Sequence, residues 1–329
     1  MSHSDNVPAE RVAWMQKFAW WSQAAALRLL WLLVGWLPPE QVTAAGWRLM
    51  AWFGPRTSKH RHVLANLEML CPERSDAEIE GLGKAVWGNI GAVFTEFALL
   101  DRLTDPARNR ERIELINNTG EPDFFERPRP CVFVSAHLAN WELIGYAGNR
   151  VSGKMDVIYN PQPNPWLEKL VQRRRRFLGC GYVDKTNGAR KLLGLLKAGR
   201  AVGLMIDVRV DGGQLVPFCG TDASTTTLPA WLSLRTGCDI LPIQIERLPG
   251  TRFRITFHPP LRAIIGADED RDQAILRVSR ELNEQVGSWI AARPQDWLCT
   301  KRRWPKELMR ARGVYSDRAE SARQQRPSH

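Results

Sequence analysis

Cysteine and histidine are scarce in this chain of 329 residues, six of each. The cysteines, at 71, 131, 180, 219, 238 and 299, form no C-x-x-C pair, so metal-ligand spacing is absent. Their scatter fits reduced thiols in a cytosol-facing protein, and Cys131 and Cys238, bordering apolar runs, read as small buried hydrophobes. There is no G-x-S-x-G elbow, which removes the motif of a serine-nucleophile hydrolase. A Walker A loop and a G-x-G-x-x-G fingerprint are missing too, so neither ATP nor a dinucleotide is implied. No cofactor and no metal are expected. Internal repeats are absent, and no small-residue cleavage site follows the first apolar run, so a signal peptide is not expected.

What the chain has in excess is positive charge and tryptophan. A formal net charge of +11 points to an anionic partner: nucleic acid, phospholipid headgroups or a phosphorylated substrate. Seven of the fourteen tryptophans fall at or before Trp52, a distribution that favours a membrane interface. Nucleic acid is disfavoured, because aromatics are not interleaved in a basic groove. The run "FAWWSQAAALRLLWLLVGWLPP", residues 18–39, is about long enough to cross a bilayer core, which takes roughly 20 apolar residues. Ser22, Gln23 and Arg28 interrupt it, and basic residues flank both ends. An interfacial amphipathic anchor is therefore expected ahead of a transmembrane helix or a buried core helix.

Apolar residues recur three and four apart over 58–70 and 76–100, with Ser75-Asp76 as a capping start, and predict two helices. From residue 111 the texture changes. "RIELIN", "CVFVSA", "MDVIY", "AVGLMI", "LVPF", "ILPIQIE" and "FRITF" read as strands, with helical stretches at 164–178, 187–198, 227–235 and 271–291. Such alternation predicts an α/β fold with a mixed, largely parallel sheet flanked by helices. The expected organisation is an N-terminal helical membrane-associating portion over 1–57, a catalytic α/β domain over 58–305, and a basic tail over 306–329 without packed structure.

"VFVSAHLANWELIG", residues 132–145, is where chemistry concentrates. An apolar strand ends at His137, and Glu142 follows at the start of the next helix. Functional groups collect at the carboxyl edge of α/β sheets. From the first helical turn, the carboxylate can reach back to the ring, fix its tautomer and leave the other nitrogen free to take a proton. By itself the spacing says little, since six histidines among 35 acidic residues make one such pair unsurprising. "QRRRRFLG" at 172–179 is either a solvated helix face or, through Arg173 and Arg176 three apart, a phosphate or acidic-carrier contact. "TKRRW" at 300–304 carries the same two readings. Asp207, at a strand exit, either pairs with Arg209 or an arginine of the 173–176 run or positions substrate. Thr226 or Thr227 either caps the following helix or faces a phosphate or oxyanion.

Taken in order, four blocks resemble the lipid A biosynthesis acyltransferases, the lauroyl/myristoyl type within the lysophospholipid acyltransferase superfamily. "SAHLANWELIG" is similar to the family's H-x-G-N-W-E block and "YNPQPNPWLEKLVQRRRRFLG" to its Y-R-P…N-P…R…R…G segment. "GRAVGLMIDVRVDGGQLVPFCGTDASTTTLPAWLSLRTGCDILP" and "PQDWLCTKRRWP" resemble the two that follow. The resemblance spans about residues 60 to 305. Three positions depart from it: Asn160 stands where the family has Arg, Val208 replaces the Gln of a D-Q pair, and Ala139 replaces Gly, a change of one methyl.

The resemblance implies transfer of a fatty acyl chain from an acyl carrier protein thioester to a hydroxyl of a lipid A precursor, at the cytoplasmic face of the inner membrane. His137 would be the general base and Glu142 its orienting carboxylate. Asn140, Trp141, Asn160, Arg173, Arg176, Asp207 and Thr226 complete the candidate substrate-binding set. Acyl carrier protein, the lipid acceptor and the membrane surface are the expected partners. Asn160 keeps a lysophospholipid or other lipid acceptor open as the alternative.

Overall fold

The computed structural model describes residues 9–107, 112–186 and 188–311, with side chains from residue 14 onward. Helices α1 (Ala9–Val34), α2 (Pro39–Phe53), α3 (His60–Leu70), α4 (Asp76–Phe97) and α5 (Leu100–Thr104) come first. Then β1 (Ile113–Asn117), β2 (Val132–Ser135), α6 (Glu142–Ser152), β3 (Met155–Tyr159), α7 (Pro165–Arg175), β4 (Gly181–Asp184), α8 (Gly188–Lys197) and β5 (Ala201–Met205) alternate. A hairpin of β6 (Gln214–Phe218) and β7 (Thr221–Thr225) leads into α9 (Leu228–Thr236), β8 (Ile240–Leu248), β9 (Arg252–Phe257), α10 (Arg271–Ala292) and α11 (Lys306–Ala311).

Seven strands form one sheet in the order β1-β9-β8-β2-β5-β3-β4. Every neighbouring pair is parallel except β8 and β9, so the sheet is mixed and largely parallel, as the alternating texture predicts. β2 is buried along its whole length and β5 nearly so. That two-sided burial suits the unbroken apolar runs "VFV" and "AVGLM".

α4 starts as its sequence predicts. Ser75 accepts from the Glu78 amide and Glu78 accepts from the Ser75 amide, a reciprocal cap that satisfies two otherwise orphaned donors. α2 lies against α4 at backbone distance: a Cβ on Gly46 would stand 2.6 Å from the Gly91 carbonyl oxygen. α2 of the N-terminal portion thus packs directly against α4 of the portion that follows.

α1 does not behave as a core helix. Trp31 is buried, but Trp14, Phe18, Trp21, Leu29, Leu33 and the following Trp36 are exposed. Among the described residues no helix is long and apolar enough to cross a membrane. At the other end, Lys306–Ala311 is helical with Met309 buried, so the first residues of the expected tail belong to the fold. The rest of that tail, 312–329, lies outside the described residues.

Candidate active site

β2 and β5 are parallel neighbours with Ser135 in register with Met205. Two residues beyond each strand end stand His137 and Asp207, so strand pairing alone delivers them to the same place at the carboxyl edge. The Asp207 carboxylate takes the His137 Nδ1 at 2.9 Å through Oδ1, and its Oδ2 accepts from Trp297 Nε1 at 2.9 Å. The Asp207 side chain is 1% exposed and that of His137 25%. With Nδ1 held as a donor, Nε2 is left as the basic nitrogen.

The electrostatics agree from both sides of the pair. Burial works against the imidazolium, but the Asp207 carboxylate, with Glu142 further off, outweighs it and raises His137 above its ordinary value of 6.5. Burial likewise pushes the Asp207 carboxyl up, yet His137 and the Trp297 hydrogen bond prevail and hold it below 3.8. Opposite charge and hydrogen bonding win over desolvation here.

This corrects the expected dyad. Glu142 does not orient the ring; both its oxygens are taken by Arg175, with Nη2 to Oε1 at 2.7 Å and Nε to Oε2 at 3.0 Å. The guanidinium also lies 4.9 Å above the Tyr182 ring. Nor does Asp207 pair with Arg209, which reaches Asp211 at 2.7 Å, or with the arginine run. Of that run, Arg174 meets Asp101 and Arg175 meets Glu142, whereas Arg173 and Arg176 are exposed and line no cavity next to His137. Arg175 and Asn160 line the same cavity, with the Arg175 charge matched by Glu142.

Asn140 is also a structural residue rather than a substrate contact. It is fully buried and donates to Glu96 at 2.9 Å. Glu96, itself 0% exposed, is clamped by Arg247, whose Nε donates to Asn89 at 3.1 Å. Asn89 in turn donates to the carbonyl of Asp296 at 2.9 Å. The 137–140 loop is stitched to the same segment, since the Ala139 amide donates to the Asp296 carbonyl and the Leu298 amide to the His137 carbonyl, each at 2.9 Å. Residues 294–299 are thus the back wall of the site, a role that chain position does not reveal. Within the loop Ala139 has φ 45°, the left-handed region that favours glycine, and its side chain is buried. The one-methyl change therefore sits on a strained backbone.

His137 stands where two cavities of opposite character meet. One, about 530 Å³, is mainly apolar and runs over β2, β5 and β3 beneath α6; Trp141, Asn160, Arg175 and Thr226 line it alongside Phe133, Met155 and Leu204. The Trp141 ring stands edge-on to His137 with centroids 5.5 Å apart. Thr226 lines this cavity while its Oγ1 accepts from the Leu228 amide at 3.3 Å; the N-cap of α9 is Thr227, which makes no side-chain cap bond. The other cavity, about 550 Å³, is lined by Lys59, Arg209, Lys301, Arg302 and Arg303 beside Asp207 and Trp297. Arg303 is 1% exposed and donates to the Ser224 carbonyl and to Thr225 Oγ1, both at 2.8 Å, which ties the β6–β7 hairpin to the site. Among the described residues no group of three or more His, Cys, Asp or Glu side chains could hold a metal ion.

An imidazole with one nitrogen left basic, between an apolar space and a cationic cleft at the carboxyl edge of the sheet, is placed to take a proton from a substrate group. The model of the bacterial lipid A biosynthesis acyltransferase family matches residues 13–306, and the chain belongs to that family. No curated protein sequence matches it. Among solved structures it is similar to the 1-acyl-sn-glycerophosphate (LPA) acyltransferase PlsC from Thermotoga maritima, at 12% identity and a TM-score of 0.37, over 76% of this chain and 96% of that one.

Proposed function

We propose that the protein is a membrane-associated O-acyltransferase that moves a fatty acyl chain from an acyl carrier protein thioester to a hydroxyl of a lipid A precursor at the cytoplasmic face of the inner membrane. The observation that carries the reading is the position of the His137–Asp207 pair, at the junction of an apolar and a cationic cavity. His137 Nε2 takes the proton of the acceptor hydroxyl as its oxygen attacks the thioester carbonyl. The tetrahedral intermediate collapses, the carbon–sulfur bond breaks, and the imidazolium returns its proton to the departing thiolate. Asp207 stays ionised throughout and stabilises the imidazolium. The apolar cavity suits the acyl chain, and the lysine- and arginine-lined cleft suits a phosphorylated acceptor.

The exposed aromatic and aliphatic side chains of α1, α2 and the link between them, among them Trp14, Phe18, Trp36 and Trp52, support docking on a bilayer surface. Arg28, Arg48 and Arg56 on the same two helices and the turn after them add attraction to anionic headgroups.

His137→Ala tests the chemistry. General base catalysis contributes about 10²–10⁴, so the variant should lose at least about 10² in turnover while its melting temperature stays within a few degrees. Mass spectrometry of lipid A from cells lacking the gene, complemented with wild type or variant, should show one acyl mass restored only by the wild type. A purified His137→Ala protein that turns over at the wild-type rate would remove the general-base assignment. A change confined to phospholipids would move the acceptor to a lysophospholipid, the reading that uncharged, exposed Asn160 at the apolar cavity favours.

A further inference from the structure

The apolar cavity has an end opposite His137, and the sequence there is unusual. Gly203 lies in the middle of β5, between β2 and β3, in register with Phe133 and Val157. Glycine weakens a central strand and is kept where something must come close to the backbone. Here the visitor is Met155. A Cβ on Gly203 would stand 2.3 Å from the Met155 Cε. On the facing helix, a Cβ on Gly148 of α6 would stand 2.3 Å from the Met155 Sδ and 3.3 Å from Phe133. The thioether therefore threads a slot made by two glycines, one from the sheet and one from the helix. Met155 is 1% exposed, yet it lines the cavity. It pairs with Ala201, six residues before Asp207, up to about 20 Å down the strand at about 3.3 Å per residue.

We propose that Met155 is the floor of the acyl cavity, and that Gly148 and Gly203, by holding its side chain back, set the longest acyl chain the enzyme accepts. The proposal rests on the acyltransferase reading above and adds its specificity determinant. An unbranched thioether is the most adaptable of apolar side chains, so it yields rather than breaks the fold when crowded. A methyl added at Gly203 or Gly148 displaces it into the adjoining empty space, which is the cavity, and shortens it. Truncating Met155 to alanine removes three heavy atoms and lengthens it. Each methylene that gains or loses a buried site changes relative binding about fourfold.

The test is the chain-length profile of the purified full chain, measured as kcat/KM over a ladder of saturated acyl thioesters stepping by two carbons. Met155→Ala should move the optimum about two carbons longer, with the ratio of the longer to the original chain rising about fifteenfold, fourfold per methylene. Gly203→Ala and Gly148→Ala should move it about two carbons shorter. Should a glycine variant fail to fold, Met155→Ala decides alone. A Met155→Ala enzyme with the wild-type profile overturns the proposal, because a merely structural methionine would lower stability and leave the ratio unmoved. Transfer from none of the thioesters by the wild type would instead remove the acyltransferase reading, and this inference with it.

Discussion

Replacing Asp207 with Asn keeps the size and shape of the side chain and removes its charge. The amide has one accepting oxygen where the carboxylate has two, and both are in use: one faces His137 Nδ1 and the other Trp297 Nε1. Trp297 can only donate, so the oxygen of the substituted amide turns to it and the NH₂ faces the imidazole. Nδ1 must then accept, the ring proton moves to Nε2, and the nitrogen next to the acceptor hydroxyl is no longer a base. An equivalent tautomer error in a serine protease triad drops kcat by about 10⁴, or about 5.5 kcal/mol at 1.36 kcal/mol per decade. The pH profile separates this from simple damage. In the wild type His137 is raised above 6.5 by Asp207, and a base must be neutral, so the acid limb of kcat/KM lies above 6.5. Asp207→Asn should lower both the plateau and the position of that limb. Steady-state rates across pH 5 to 9 make the measurement. A plateau within tenfold of wild type, with the limb unmoved, would refute the role of Asp207.

Glu142→Ala should act mainly on stability: it strips Arg175 of its bidentate partner at a site where the two side chains are 18% and 10% exposed, a loss of about 3 kcal/mol in urea unfolding, with a smaller fall in kcat than Asp207→Asn. A Glu142→Ala protein of full stability whose kcat falls as far would return the orienting role to Glu142. Ala139→Gly relieves a left-handed φ and should raise stability by about 0.5–1 kcal/mol, read as a higher urea midpoint. Glu96→Gln leaves Arg247 facing a neutral amide beneath the catalytic loop, and should cost about 3 kcal/mol as measured by denaturant unfolding. An unchanged midpoint would show that the Glu96–Arg247 pair does not hold the loop.

The local pattern of the chain carried most of the fold. The helices over 58–70, 76–100 and 271–291 and the strand "MDVIY" occur where their periodicities place them, because each is long or apolar enough for local preference to agree with the core. Two strands escaped it. "GYVD" and "TDAST" have no apolar alternation strong enough to stand out; β4 exists because β3 offers it an edge, and β7 because a Cys219-Gly220 turn with both φ positive folds it onto β6. The place of His137 at a sheet edge was legible, since a polar ring ends an apolar strand there.

Which carboxylate serves that ring was not legible. Sequence nearness favoured Glu142, five residues away. The parallel register of β2 and β5 instead brings Asp207 to the imidazole from 70 residues on and leaves Glu142 to Arg175. The same holds for the back wall of residues 294–299 and for the slot around Met155, assembled from β3, β5 and α6. Periodicity and short motifs are properties of neighbours along the chain, so the first determined the elements and the second the likeness to a family. Hydrogen-bond partners are properties of neighbours across the sheet, and only the packed molecule decided them.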